Sequence, residues 1–524
     1  MAKISTRESE SLKEYLILTG WIQTPPEKVS LQTNLGNISL QYPFMTARMQ
    51  CVVGPEMAVA AGRNGILTMI PRSLRDEDKQ AVLDANKKAK LKAGEIEFVE
   101  NPETTRPEDS LEAVVKQVER TGHSVIPITD RFSKLYGVYI HNPNTPPAAP
   151  PNTPIRNVMI PMRKTGGNGI AYLVDRNAKE TLVSFGEDET RKHLTTEISD
   201  ILKREDKKFI PIVDENMILQ RMAFSQRYDT NYIGVAISTR GEKWQEEMER
   251  WGSQADTLTI DSSNACFPAA LEILKYAKSK FPDKPFGIGN IIQSGDFLTF
   301  AKSGADYIIG GMGVGSICQT GSERGNGRGQ MTVAQELARA RDSYEGKSGK
   351  HVAFVLDGGM SNVKDITIGL AFADLVMLGN HFNKFYEAAA RKLMADGQTP
   401  TTEENLMRFV ETWGEGHPRA RLVGMYGMNY RDILSQKTPD SDHVIERYGH
   451  TSLSGATVEG VAGTVEYRGR LRPGIERDAR YIRTTISNTG AVDLQTFRKE
   501  AILERASQQT LIDMLPHDIE VKEK

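Results

Sequence analysis

Cys318 lies near the end of the run Gly311-Met-Gly-Val-Gly-Ser-Ile-Cys318-Gln-Thr320, which follows the apolar residues Tyr307-Ile308-Ile309. The apolar residues read as a buried strand, and the glycines let the backbone turn sharply and come close to a ligand. A thiol at the end of such a loop is placed to act as a nucleophile, because nearby backbone N–H groups favour the thiolate. The same spacing also describes a tight turn with a small apolar side chain beneath it. Asp261-Ser262-Ser263 closes another apolar run, and a carboxylate there can accept hydrogen bonds from a ribose diol. Asp357-Gly358-Gly359 and Leu378-Gly379-Asn380 close two more, where glycines let backbone N–H groups reach an anion. No CxxC or HExxH pair is present, which argues against structural zinc. No GxGxxG opens a strand–helix unit, so a dinucleotide would not bind in a Rossmann domain.

The elements that position these residues follow a pattern. Eight short apolar runs end in polar residues or glycine: Pro43–Met49, Gly65–Ile70, Ile233–Ser238, Thr257–Ser263, Pro285–Asn290, Tyr307–Gly311, Val352–Gly359 and Leu375–Gly379. Helix-like segments follow most of them, including Glu56–Arg63, Phe267–Lys280, Asp296–Lys302, Thr332–Arg341 and Val363–Ala371. Repeated strand–helix units mean a parallel sheet, and eight of them suggest a closed (β/α)8 TIM barrel. An open doubly wound sheet is the alternative. About 160 residues separate the second run from the third, and they hold a weak repeat. Its first half contains Ser124-Val-Ile-Pro-Ile-Thr-Asp and its second Phe209-Ile-Pro-Ile-Val-Asp, each after an acidic helix start. A proline-rich stretch beginning at Asn142 separates the halves and reads as a loop or polyproline linker. A duplicated unit inserted into a barrel is the simplest account.

Composition narrows the class. The chain has 524 residues, 39 % of them hydrophobic and 26 % charged, with a net charge of -2. That suits a globular protein and gives no broad nucleic-acid footprint. Three cysteines, Cys51, Cys266 and Cys318, suggest a reducing compartment and no disulfide framework. The first residues lack a signal-peptide apolar core, and no apolar run approaches a membrane span. A cytoplasmic enzyme is expected.

The motifs Ala47-Arg-Met49-Gln, Asp261-Ser-Ser263, Gly289-Asn290, Gly313–Thr320, Asp357-Gly-Gly359, Met377-Leu-Gly379, Arg447-Tyr448 and Glu459-Gly460 occur in one order along nearly the whole chain. Together they resemble the IMP dehydrogenase and GMP reductase family, specifically its IMP dehydrogenase members. The resemblance implies a barrel interrupted by a tandem CBS (Bateman) domain. The expected division is 1–93 and 230–524 for the barrel, 94–229 for the CBS pair, and a mobile flap at about 417–460. It also implies oxidation of IMP to XMP with NAD, the committed step of guanine nucleotide synthesis. Cys318 would form a covalent thioimidate at C2 of the purine, which is then hydrolysed. Thr320 would orient the water, and Arg447 and Tyr448 would arrive with the flap. Ala47, Met49, Gly414, Glu415, Gly416 and Glu459 would contact the purine. Ser316, Gly358, Gly359, Gly379 and Asn380 would hold the phosphate, and Asp357 the ribose. Arg240, Asp261, Ser262, Ser263, Asn290, Gly311 and Gly313 would contact NAD. Potassium would sit on the carbonyls of Gly313, Gly315 and Cys318. A homotetramer is the implied assembly, with octamers through the CBS module and no membrane or nucleic-acid partner.

Some residues depart from the family pattern. Trp413-Gly-Glu415-Gly416 stands where most members read Met-Gly-Ser, and the segment from Gly416 to Arg447 is longer than the usual flap. CBS modules often end each repeat with Thr or Ser followed by Asp. The stretches Val138–Asn142 and Phe224–Tyr228 do not supply that Asp cleanly, so an adenine or guanine nucleotide there is an open expectation. Two other functions remain: a GMP reductase working with NADPH, and a non-catalytic nucleotide-sensing CBS protein.

Overall fold

The computed structural model describes residues 5, 8–121, 123–141, 149–164, 171–173, 182–183, 198, 202, 208–214, 216–226, 228–239, 243–421, 459–517 and 519. The chain divides into two compact units. Met1–Ala89, Asn231–Arg468 and Asp478–Lys524 form one, and Lys90–Thr230 with Gly469–Arg477 form the other.

The first unit is built on eight strands. They are β1 Phe44–Thr46, β2 Thr68–Ile70, β3 Ile233–Ile237, β4 Thr257–Asp261, β5 Phe286–Ile291, β6 Tyr307–Gly310, β7 Ala353–Asp357 and β8 Leu375–Leu378. Each overlaps one of the eight apolar runs. All neighbours pair in parallel in the order β1-β8-β7-β6-β5-β4-β3-β2, and a parallel bridge between Met45 and Leu67 closes the ring. The result is the expected TIM barrel.

Helices follow the first seven strands: α1 Pro55–Arg63, α2 Asp76–Lys88, α3 Lys243–Gly252, α4 Pro268–Lys280, α5 Ser294–Lys302, α6 Gln330–Ser348 and α7 Val363–Leu370. In α4, Ala270, Ile273, Leu274 and Ala277 are buried, the spacing that puts one helix face against a sheet. The sequence pattern marks Thr332–Arg341, but α6 runs on to Ser348. Its last turns are solvated, so apolar periodicity fades, and Gly349 ends it at φ +67.

Side chains alternate across each strand, so every second residue points inward. Met45, Met69, Tyr307, Ile309, Val355 and Met377 thereby join one buried cluster inside the ring. Leu35, Ile38 and Leu40 from the hairpin Thr33–Leu35/Ile38–Leu40 belong to the same cluster. Gly287 makes room for the Tyr307 ring, since a Cβ there would sit 2.0 Å from Tyr307 Cε2. Burying each such large apolar side chain stabilises the barrel by about 1.5–3 kcal/mol. The interior is a packed core, and this leaves the mouth as the place for chemistry.

The second unit carries the duplication. Val125–Thr129 pairs with Leu135–Ile140, and Phe209–Val213 pairs with Leu219–Ser225, with a bulge at Ile128/Thr129 and its equivalent Ile212/Val213. Asp130 Oδ1 accepts the N–H groups of Phe132 and Lys134, and Asp214 Oδ1 those of Asn216 and Ile218. The repeated aspartate therefore pins each hairpin turn. The turns then pair reciprocally: Leu135 N–H donates to Met217 O and Leu219 N–H to Ser133 O, each at 2.9 Å. That reciprocity is a local two-fold relationship between the repeats. Among the described residues, no helix is long and apolar enough to cross a membrane.

Candidate active site

The loop after β6 presents Cys318 beside a chain of acceptors. Cys318 Sγ lies 3.3 Å from Thr320 Oγ1, and Thr320 Oγ1 donates to Glu459 Oε2 at 2.9 Å. The other oxygen of Glu459 accepts from Arg324 Nη1 at 2.7 Å. Thr320 spends its one proton on the carboxylate, so its lone pairs face the thiol, which donates to them. Backbone bonds lock the arrangement: Gln319 N–H donates to Glu459 O at 2.8 Å and Val461 N–H to Ile317 O at 3.1 Å. Cys318 is only half-buried, whereas Glu459 is buried. A reagent in the mouth can therefore reach the sulfur while the carboxylate stays out of water.

A second cluster joins the ends of β1, β4, β5 and β7. Arg48 Nη1 lies 3.0 Å from Asp261 Oδ1, and Arg48 Nη2 donates to Asn290 Oδ1 at 2.6 Å. Asn290 Nδ2 donates to Asp357 Oδ2 and to Gly311 O, each at 2.8 Å. Burial pushes the Asp357 carboxyl up from its ordinary value, while Arg48 and the Asn290 hydrogen bond pull the other way. Gly311 has φ +138, and a Cβ there would lie 2.0 Å from Asp357 O. Only glycine lets the loop pass this close to β7.

Both clusters face one cavity of about 210 Å³. Among the expected residues, Ala47, Met49, Asp261, Ser262, Ser263, Asn290, Gly311, Gly313, Gly315, Cys318, Thr320, Asp357, Gly358, Gly414, Glu415, Gly416 and Glu459 line it. Four others lie beside it. Asn380 Nδ2 reaches Ser316 Oγ at 3.4 Å, Gly379 packs against Met49 and Ala47, and Gly359 has φ +75 next to Gly358 at φ +87. Behind Asn380, buried His381 meets buried Asp478 at 2.6 Å and fixes the start of the short helix Asn380–Asn383. Arg240, Arg447, Tyr448 and nearly all of the expected flap lie outside the described residues.

The loop 414–416 is anchored from below. Trp413 Nε1 donates to Gln50 Oε1 at 3.0 Å, and Gln50 N–H donates to Glu415 Oε1 at 2.7 Å. Arg419 stacks on Trp413, its guanidinium carbon 3.8 Å from the ring centre, and donates to Glu411 at 2.9 Å. This packing orders the cavity wall opposite the barrel strands.

The profile of the IMP dehydrogenase / GMP reductase domain matches residues 10–517. The chain belongs to this family. Similar proteins of the family include the inosine-5'-monophosphate dehydrogenase of Tritrichomonas foetus, 27 % identical and covering 100 % of this chain and 99 % of its own. That of Nitrosopumilus maritimus is 24 % identical over 95 % of each chain, and that of Schizosaccharomyces pombe 26 % identical over 79 % of this chain and 77 % of its own. A GMP reductase from Trypanosoma brucei, solved with guanosine 5'-monophosphate, has the same fold, with a TM-score of 0.62 at 20 % identity. It covers 98 % of this chain and 99 % of that one. The family's named activities are those of oxidoreductases.

Two residues of the site escaped the sequence reading. Arg48 sits between Ala47 and Met49, yet a charge inside a buried strand end must find partners, and that was the available signal. Arg324 ends the short helix Thr320–Arg324 and pairs with a residue 135 positions away, for which no local pattern exists.

Proposed function

We propose that the protein is an IMP dehydrogenase, oxidising IMP to XMP. The observation that carries this reading is the chain Cys318–Thr320–Glu459, a thiol with an outlet for its proton at the mouth of a barrel. The thiolate of Cys318 adds to C2 of the purine, and this splits one hard step into two. Bound NAD would supply the acceptor for the hydride that leaves C2 with the bonding pair. Water then forms the C2–O bond as the C2–S bond breaks, and Cys318 regains its proton.

The residues around the cavity fit these roles. Asp357 accepts the ribose hydroxyls of IMP, and the glycines at 358, 359 and 379 with Ser316 and Asn380 receive the phosphate. Asp261, Ser262 and Ser263 share the cavity with Cys318, close enough for a nicotinamide ribose to sit beside the purine. Glu459 faces the base and takes a proton through Thr320. Arg240, Arg447 and Tyr448 serve NAD binding and water activation by sequence resemblance. A monovalent cation would rest on the neutral carbonyls of Gly313, Gly315 and Cys318, the donor type that suits potassium. The duplicated unit is a tandem CBS pair, and the enzyme works as a cytoplasmic homotetramer.

The test is absorbance in the nicotinamide band with purified protein, potassium, IMP and NAD. NADH appearing with XMP supports the reading. Consumption of NADPH with GMP instead would make the protein a reductase. Silence with both pairs would point to a nucleotide-sensing barrel.

A further inference from the structure

Arg48 is a buried cation just past the end of β1, and it reaches residues of three strands. Its Nη1 contacts Asp261 at the end of β4, and its Nη2 contacts Asn290 of β5 and lies 3.7 Å from Asp357 Oδ2 at the end of β7. Asp261 and Asp357 are the two carboxylates read above as ribose acceptors, one for each nucleotide. Standing together they repel, and each binds a diol best as an anion with both oxygens accepting. The guanidinium reaches both, at 3.0 Å from Asp261 and 3.7 Å from Asp357. It presents a fork rather than a point: one arm donates to Asn290, and the other lies as an ion pair against Asp261. Asn290 completes the frame, because accepting from Arg48 forces its amide N–H groups toward Asp357 and Gly311. Arg48 also lines the cavity, and its Nη1 is buried without an aligned hydrogen bond in the protein.

We propose that Arg48 is a positioning residue that sets both ribose-binding carboxylates, so that one cation just after β1 serves the two nucleotide subsites together. This rests on the proposed function. The consequence is a joint effect: weakening Arg48 weakens IMP and NAD alike, whereas changing Asp261 alone weakens NAD.

The experiment compares wild type, Arg48→Met, Arg48→Lys and Asp261→Asn. KM is measured for IMP and NAD separately, and IMP binding is measured alone by calorimetry. Arg48→Met should raise both KM values about tenfold or more, the scale of a lost charged hydrogen bond, with a smaller change in kcat. Arg48→Lys keeps the charge without the fork and should fall between, and Asp261→Asn should raise the KM for NAD alone. Methylguanidinium added to Arg48→Ala should restore part of the affinity for both nucleotides, a recovery that a purely structural defect does not give. KM values within twofold of wild type, or an effect confined to one nucleotide, would overturn the proposal. If Arg48→Met does not fold, Arg48→Lys and the Ala rescue decide by the same criteria. A wild type that makes no NADH would overturn the functional reading instead, and calorimetry with IMP would still test the link from Arg48 to Asp357.

Discussion

Thr320 donates its hydroxyl proton to Glu459 at 2.9 Å, although 139 residues separate the two in sequence. This bond aims the threonine oxygen at the Cys318 thiol. Thr320→Val keeps the shape and removes the bond. Turnover should fall by about 100-fold, as for a lost proton-transfer partner, while the melting temperature moves little. A kcat within threefold of wild type would remove Thr320 from the proton path.

The three thiols should differ in reactivity. Burial pushes Cys51 up to about 11, and its sulfur already donates to Trp413 O. Partial desolvation and a hydrogen bond with Asp296 push Cys266 up to about 12. Both stay protonated in mildly alkaline buffer, so one equivalent of iodoacetamide should label Cys318 first, and IMP should slow the labelling. Peptide mapping after partial modification checks this; label on Cys266 ahead of Cys318 would contradict it.

Gly311→Ala should damage the site and the fold together. Its φ of +138 disfavours any side chain, and the new methyl would overlap Asp357 O. A loss of about 1–3 kcal/mol in urea unfolding is expected, with a larger loss of activity, because β7 must shift.

Stability should depend on pH through Asp374, buried at the start of β8. Burial raises its pKa, but the His351 hydrogen bond and the charges of Arg341 and Arg498 outweigh that and hold it well below the ordinary range. Its contribution is therefore present above the unfolded value of about 3.9 and is lost as pH falls further. The hydrogen bond to Asp374 raises the pKa of His351. That share is complete below about pH 6.5 and is lost as pH rises through the raised value. Asp374→Asn should cost about 3–5 kcal/mol, as when one partner of a buried ion pair is removed. His351→Gln should flatten the decline in urea midpoint above neutral pH, and an unchanged profile would contradict the assignment.

Much of this molecule is readable before it folds. The eight apolar runs became the eight strands because parallel barrel strands are buried on both faces and so carry a continuous apolar signal. The ends of two of those runs carry Asp261 and Asp357, and the loop after a third carries Cys318; all three line one cavity because residues at barrel-strand C-termini converge on the mouth. Arg48 showed only as a charge closing an apolar run, and Arg324 showed not at all, since the partners of both are far away in sequence. The reciprocal turns at Ser133 and Met217 were equally hidden: both residues have positive φ, at +62 and +67, without being glycine.

The most direct test of the central claim is single-turnover NADH formation by wild type and Cys318→Ala with saturating IMP and NAD. An NADH burst is expected from wild type and none from Cys318→Ala, which should still bind IMP in calorimetry. A burst of similar size from Cys318→Ala would contradict a covalent role for the thiol.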